Sequence, residues 1–293
     1  MSKLTIATFN VNGINKRLAN LLEWLRREEP DVVCLQELKA TDTQFPARAL
    51  NELGYAAVWS GEALWNGVAI LGKGVQPVLT RRALPGQEAD SHARYLEAAV
   101  HGVLVAALYL PNGNPIRSPK FAYKLAWFDA LIAHAGSLFA LPHPVVLAGD
   151  FNVVPTDDDI YNPRSWKRNA LLQSESRVRY ARLLDQGWVD TVRARHPDER
   201  VYTFWDYFRE HWKRNAGLRL DHLLLNAELA GALTDAGVHT WVRDRPNASD
   251  HAPTWITLDR SRAQVAARQS AKRSAPRGAK QRRPRPRVKP AAT

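Results

Sequence analysis

The sequence predicts an α/β domain with two sheets, on three observations. Short apolar runs of the kind buried on both faces stand at 31–36 (Asp-Val-Val-Cys-Leu-Gln) and 145–148 (Val-Val-Leu-Ala). Runs that alternate apolar with small polar residues accompany them, beginning with 4–9 (Leu-Thr-Ile-Ala-Thr-Phe). Stretches with helical spacing lie between the strands rather than in one block.

The elements follow in order. After strand 4–9, Leu18, Leu21, Leu22 and Leu25 recur at helical spacing, so 17–28 is expected to be a helix, capped by Asn15 and stopped by Pro30. Strand 31–36 comes next. Apolar runs at 55–59, 67–71, 96–100 and 103–110 read as further strands. An amphipathic helix is expected over 120–134, ahead of strand 145–148, and another over 174–186. Late strands are expected at 201–205, 219–225, 237–243 and 252–258. No Pro/Gly/Ser-rich linker interrupts 1–258, so a single domain over 1–260 is expected. Phe9-Asn10-Val11 and Phe151-Asn152-Val153 each follow an apolar strand, but three residues do not make a repeat.

Composition narrows the class. A single cysteine in 293 residues excludes an internal disulfide scaffold and a cysteine-ligated zinc or cluster site. No apolar run approaches the roughly 20 residues of a membrane helix. Met1-Ser2-Lys3-Leu4 leads straight into a strand, without a signal-peptide pattern, so a soluble intracellular protein is expected. The net charge is +12, and 261–293 holds eleven Lys/Arg with no Asp or Glu, leaving 1–260 almost neutral. That segment has only Val265 and Val288 as large apolar residues, so it is expected to be a disordered basic tail. Phosphate neutralisation makes it a candidate nucleic-acid tether, against the plainer reading of a solubilising tail. A localisation signal at Arg282-Arg283-Pro284-Arg285 is a weaker reading, since short basic runs are common.

Several motifs fail on inspection. Gly67 to Gly74 nearly spells a P-loop, but Gly74 replaces the magnesium-binding hydroxyl and Val68 to Leu71 reads as a strand. Asn247-Ala248-Ser249 is a glycosylation sequon without a secretion signal. Neither His-Glu-x-x-His nor Gly-x-Ser-x-Gly occurs.

What carries chemistry is a set of polar residues at the ends of buried strands. Asn10 and Asn12 follow strand 4–9, Glu37 follows 31–36, and Tyr109 with Asn112 closes 103–110. Asp150 and Asn152 follow 145–148, Arg219 and Asp221-His222 sit inside 219–225, and Ser249-Asp250-His251 precedes the last strand. Strand ends of an α/β sheet converge on one rim, where sites form. Glu37 and the amide oxygen of Asn10 are hard oxygen donors, suited to Mg²⁺ or Mn²⁺ rather than zinc. Asp250-His251 beside a buried Asp resembles a carboxylate–imidazole pair. Asp150 and Asn152 can orient and deprotonate a water, and Tyr109 can protonate a leaving oxygen. Each residue also has a bland reading: turn-capping Asn, an ordinary Gly149-Asp150 turn, Asp221 paired with Arg219 or His251, a core Tyr109. In one chain together, those bland readings become strained.

Phe9-Asn-Val-Asn-Gly-Ile14, Leu35-Gln-Glu-Leu-Lys39, Gly149-Asp-Phe-Asn-Val153, Leu218-Arg-Leu-Asp-His222 and Ser249-Asp-His-Ala-Pro253 resemble the exonuclease III family of apurinic/apyrimidinic endonucleases, within the endonuclease/exonuclease/phosphatase superfamily. The resemblance spans about Leu4 to Leu258 and excludes the tail. It implies a four-layer α/β sandwich, two mixed sheets face to face with helices outside. It implies Mg²⁺-dependent cleavage 5′ to abasic sites in double-stranded DNA, with 3′→5′ exonuclease or 3′-end cleaning. It implies Asn10, Glu37, Asp150, Asn152, Asp250 and His251 at the metal site, Asp250 at its edge. Asp150, helped by Asn152, would activate water; Tyr109 would act on the leaving 3′ oxygen; His251, oriented by Asp221, would bind the scissile phosphate. Asn12, Lys39, Arg94 and Asn112 match positions at the metal or DNA phosphates. Phe204, Leu218 and Leu220, the first within Tyr202-Thr-Phe-Trp-Asp-Tyr207, would line a pocket for the base-less sugar. A monomer is implied, and in a bacterium a cytoplasmic, nucleoid-associated one.

The sequence departs from the family pattern at three places. Leu218 stands where some members carry Trp, Asn12 where some carry Asp, and Asn114-Pro115-Ile116-Arg117 where several have other loops. These bear on the balance of endonuclease, exonuclease and 3′-phosphatase activities. The alternatives are a superfamily phosphatase or sphingomyelinase, disfavoured by Lys39 and 202–207, and an inactive nucleic-acid-binding protein, disfavoured by the intact constellation. Trp24, Trp59 and Trp127 are expected in the core, and Cys34 is expected to be buried and inert.

Overall fold

Side chains alternate along the first strand: Leu4 and Ile6 face one way, Ala7 and Phe9 the other, and both sets are buried. A strand apolar on both sides needs a partner layer on each, and the computed structural model, which describes residues 3–261, supplies them. The strands are β1 (Lys3–Asn10), β2 (Val32–Gln36), β3 (Tyr55–Ser60), β4 (Val68–Lys73), β5 (Val78–Arg81) and β6 (Tyr95–Val100). They continue with β7 (Val103–Tyr109), β8 (Val145–Asp150), β9 (Val189–Asp190), β10 (Asp221–Leu225), β11 (Leu233–Val238) and β12 (Thr254–Asp259). The helices are α1 (Leu18–Glu28), α2 (Ala47–Asn51), α3 (Pro119–Phe139), α4 (Ser174–Asp185), α5 (Thr191–Arg195) and α6 (Ala227–Ala230).

Two six-stranded sheets result, ordered β11-β12-β1-β2-β4-β3 and β5-β6-β7-β8-β10-β9. Each has one parallel pair, β1 with β2 and β7 with β8, among antiparallel neighbours. The inner faces meet in one apolar core that includes Leu4, Ile6, Cys34, Ile70, Val105, Val146, Leu223 and Ile256. On the outside of the first sheet, Leu21, Trp24 and Leu25 of α1 cover Phe9, Val33 and Leu35. On the outside of the second, Trp127, Phe128 and Leu131 of α3 cover Ala106, Leu108 and Leu147. The four-layer sandwich is therefore observed. Ser118 caps α3, accepting from the Lys120 N–H, and Pro119 opens its first turn.

Four expectations are corrected. Asn15 does not cap α1; its amide donates to the Gln44 carbonyl, and the helix begins after Arg17 without a side-chain cap. Segment 201–205 is no strand: Phe204 makes only single bridges, to Leu218 and His251. The strand expected at 237–243 ends at Val238, and Thr240–Asp244 is a 3₁₀ turn. Trp24 and Trp127 are in the core, but Trp59 is only half-buried, stacked on Phe45 at 4.4 Å. The near-P-loop is β4, as its Val-Ala-Ile-Leu suggests. Burial pushes the Cys34 thiol well above its ordinary pKa, as expected for an inert cysteine. The basic tail lies outside the described residues from 262 onward. Among the described residues no helix is long and apolar enough to cross a membrane.

Candidate active site

β1, β2, β7 and β8 end at one rim, while β10 and β12, running the other way, begin there. That rim gathers Asn10, Glu37, Tyr109, Asp150, Asp221 and His251. β1 and β8 deliver their residues through the same local device. The Asn10 side-chain oxygen accepts from the Asn12 N–H at 3.0 Å, and Asp150 accepts from the Asn152 N–H at 2.8 Å. Asn12 and Asn152 both adopt left-handed backbone (φ 47° and 46°), which Asn tolerates better than most residues. The structural equivalence thus pairs Asn10 with Asp150, two residues out of register with the Phe-Asn-Val echo. Gly149 is fixed by contact: a Cβ there would lie 1.9 Å from the Leu108 carbonyl oxygen on β7.

Three hydrogen bonds tie the rim together, and all three cross from one sheet to the other. Asn10 donates to Asp150 at 3.0 Å, Tyr109 donates to Glu37 at 2.8 Å, and His251 Nδ1 lies 2.8 Å from Asp221. Asn10 also donates to Glu37 at 2.9 Å, and His251 Nε2 stands 3.7 Å from Asp150. Ser249 Oγ, donating to the Asn10 carbonyl at 2.7 Å, holds the 249–251 turn against β1. Burial opposes the charged imidazole, but the carboxylates of Asp221, Asp150 and Asp250 override it and lift the His251 pKa to about 10. The ring is therefore cationic through neutral pH. Burial, aided by Asp221 and Glu37 and opposed by His251, lifts Asp150 to about 7. Burial also acts on Glu37, yet the Lys39 charge and the Asn10 and Lys39 hydrogen bonds hold it below its ordinary value. Burial and the neighbouring carboxylates keep the Tyr109 hydroxyl protonated, so it is a donor.

The donor set fits a hard divalent cation. Oxygen atoms of Asp150 and Asp221 lie with a His251 nitrogen within 4.8 Å of one another, and Asp221 Oδ1 is buried without a hydrogen-bond partner. Asn10, which donates to both Asp150 and Glu37, joins Glu37 to this group. Asp250 stands apart, accepting from the Asn12 amide at 2.9 Å, while Lys39 bonds Asn12 (2.6 Å) and Glu37 (2.8 Å). Asn112 donates to the Asn152 side chain at 3.0 Å, and Arg94 lies over the Tyr109 ring at 4.9 Å. Asp221 pairs with His251 and not with Arg219, whose guanidinium is taken by Asp159 and Asp190. Phe204 packs edge-on against His251 at 4.9 Å and is partly exposed. Leu218 (0% exposed) and Leu220 (2%) are not open pocket walls but an apolar floor beneath it. Two further residues serve the rim that sequence reasoning misses. Thr203 Oγ1 accepts from the Leu220 and Asp221 N–H groups, and Lys124 lies under the Asn112 and Asn152 loops. Lys124 does leave a signal, since it falls on the apolar face of α3 with Trp127, Phe128 and Leu131.

A cationic imidazole beside clustered carboxylates can bind an anionic oxygen while a water is oriented next to it, which defines a phosphoester hydrolase of the metal-assisted kind. Comparison with known proteins places it further. The profile of the Endonuclease/Exonuclease/phosphatase family matches residues 7–251, and the chain belongs to that family. It is similar to exodeoxyribonuclease III of Haemophilus influenzae, 32% identical over 260 residues, 85% of this chain and 97% of the relative. It is also similar to the DNA repair nuclease APEX1 of Danio rerio, 30% identical over 263 residues, 88% of this chain and 83% of the relative. Among solved structures, the 3′-5′ exonuclease NExo from Neisseria meningitidis superposes with a TM-score of 0.85 at 39% identity, covering 87% of this chain and 100% of that one. An AP endonuclease from Archaeoglobus fulgidus gives 0.83 at 34% identity, covering 87% and 99%.

Proposed function

We propose that the chain is a Mg²⁺-dependent DNA repair phosphodiesterase that cleaves 5′ to abasic sites and trims blocked 3′ ends. The observation that carries this reading is the line Asp221–His251–Asp150, a cationic ring held between carboxylates at the rim. Asn10, Glu37 and Asp150 would hold the cation, with Asp250 at its edge; when bound, it supplies Lewis-acid stabilisation of phosphate charge. His251, fixed by Asp221, binds a non-bridging phosphate oxygen. Asp150 and Asn152 orient the attacking water, and the Asp150 carboxylate takes its proton. The protonated Tyr109 hydroxyl donates to the leaving 3′ oxygen. Asn12, Lys39, Arg94 and Asn112 contact flanking phosphates. Phe204, over Leu218 and Leu220, meets the base-less sugar. The names of the relatives, a DNA repair nuclease and an exodeoxyribonuclease III, support DNA as the substrate.

A duplex bearing one abasic analogue tests the reaction. The expected product is a single cut immediately 5′ to the lesion with Mg²⁺, and none in EDTA. An intact duplex together with untrimmed 3′-phosphate ends overturns the reading.

The basic tail serves in this reading as a DNA tether, the protein acting as a monomer and, in a bacterium, on the nucleoid. Deleting 261–293 is expected to weaken duplex binding at low salt by ~10-fold or more and to flatten the salt dependence. Unchanged affinity would exclude the tether.

A further inference from the structure

One lysine behind the rim has no part in the chemistry above. Lys124, in the second turn of α3, is fully buried on the face that packs into the core. An ammonium or amine there costs several kcal/mol unless its N–H groups are used. Both its hydrogen bonds go to backbone carbonyls, Asn112 at 3.1 Å and Asn152 at 2.5 Å. These residues lie in the loops that follow β7 and β8, and their side chains already bond each other. The Asn152 amide in turn donates to the Leu110 carbonyl at 2.8 Å and faces Asp150 at 3.4 Å. The lysine thus closes a ring whose other members hold the rim. Gly113 supports this from above: with φ at 84°, a Cβ there would stand 2.6 Å from Lys124 Cδ, so the loop rests directly on the lysine stem. An apolar residue at 124 would leave two carbonyls without their donor beneath a left-handed Asn152.

We propose that Lys124 is a positioning residue for phosphodiester hydrolysis, fixing the Asn112 and Asn152 backbone so that the Asn152 amide and the Asp150 carboxylate keep their reactive orientation. The proposal rests on the nuclease reading of the site. It separates placement from binding, because Lys124 touches no surface that DNA can reach.

The test compares the full-length native chain with Lys124→Met, Lys124→Arg and Gly113→Ala on the abasic duplex with Mg²⁺. Single-turnover cleavage, KM, and duplex affinity in EDTA are read, with thermal unfolding as the control for folding. Lys124→Met is expected to cleave ~10²-fold more slowly, the scale of an ångström-level misplacement, with KM and duplex affinity within about twofold of native. Lys124→Arg, which can donate to both carbonyls, is expected to recover most of the rate. If Lys124→Met does not fold, Gly113→Ala, which pushes the stem from the loop side, is expected to show the same rate loss with unchanged KM. A folded Lys124→Met as fast as native overturns the proposal. So does a loss of rate that tracks a loss of affinity, or a Gly113→Ala of native rate where Lys124→Met is unfolded. A native chain that cleaves nothing overturns the nuclease reading and this proposal with it; an active native chain with an equally active variant overturns this proposal alone.

Discussion

Asp150→Asn is expected to abolish cleavage while leaving the metal-free fold as stable as native, or more so, at pH 8. The loss should be ~10³-fold or greater, because in the proposed reaction this one residue would both hold the cation and take the proton of water. The stability half follows from the sign of its titration. Burial, with Asp221 and Glu37 nearby, holds the folded-state pKa up at about 7, above the ordinary carboxylate value of 3.8. A raised pKa means the fold favours the neutral form, so the contribution to stability is full at low pH and is lost as pH rises through about 7. At pH 8 the native chain holds an ionised carboxylate that the fold disfavours, and the amide removes that cost. Thermal unfolding in EDTA checks this: Tm of the variant minus Tm of native should grow from pH 5 to pH 8. A difference that shrinks over that range would mean that the ionised carboxylate stabilises the fold.

Arg219→Met should destabilise the fold by ~3–5 kcal/mol, the usual cost of stranding a buried charge partner. The guanidinium is 1% exposed. It donates to Asp159 at 2.7 Å and to both oxygens of Asp190 at 2.9 and 2.7 Å. Asp190 also takes the Tyr180 hydroxyl, and Asp159 takes Arg193. Burial alone would raise both carboxyls, yet Arg219 holds them below the ordinary range, and it helps burial push His222 down to about 4. Depressed carboxylates contribute stability above their unfolded pKa and lose it as pH falls through the folded one. Without Arg219 the two aspartates protonate more readily, so the gap between native and variant should narrow from pH 7 to pH 4. Denaturant unfolding reads this directly, and a gap below ~1 kcal/mol at pH 7 would show that the network is neutral in energy.

The large elements were legible because their patterns are local. Alternation of apolar with small polar residues marks β1, and unbroken apolar runs mark β2 and β8. What escaped is short or decided by packing at a distance. β5 is an exposed edge, β9 has two residues, and α2 and α5 have five each, too few for a period to register. Residues 201–205, Val-Tyr-Thr-Phe-Trp, have the β-branched and aromatic composition of a strand, but composition does not report which backbone groups are paired, and here the pairing stops at single bridges. The rim was readable because carboxylates and amides at the ends of apolar strands are costly without a purpose. Its wiring was not: that Lys39 is shared by Glu37 and Asn12, or that Asp250 turns to Asn12, depends on turns whose geometry no spacing encodes. The Phe-Asn-Val echo shows the limit most clearly, since the real correspondence is an Asx turn set two residues away from it.

The three inter-sheet bonds of the rim have a mechanical consequence. Most of the core between the sheets is Leu, Ile, Val and Ala, whose attraction has no direction and resists sliding only through side-chain interlock. Asn10 to Asp150, Glu37 to Tyr109 and Asp221 to His251 act as dowels through that greasy interface. A shift of one sheet along the other by a single ångström would break all three while every strand ladder stayed intact. The residues placed for chemistry therefore also set the alignment of the two halves, and a catalytic rate becomes a gauge of how squarely the sandwich is closed.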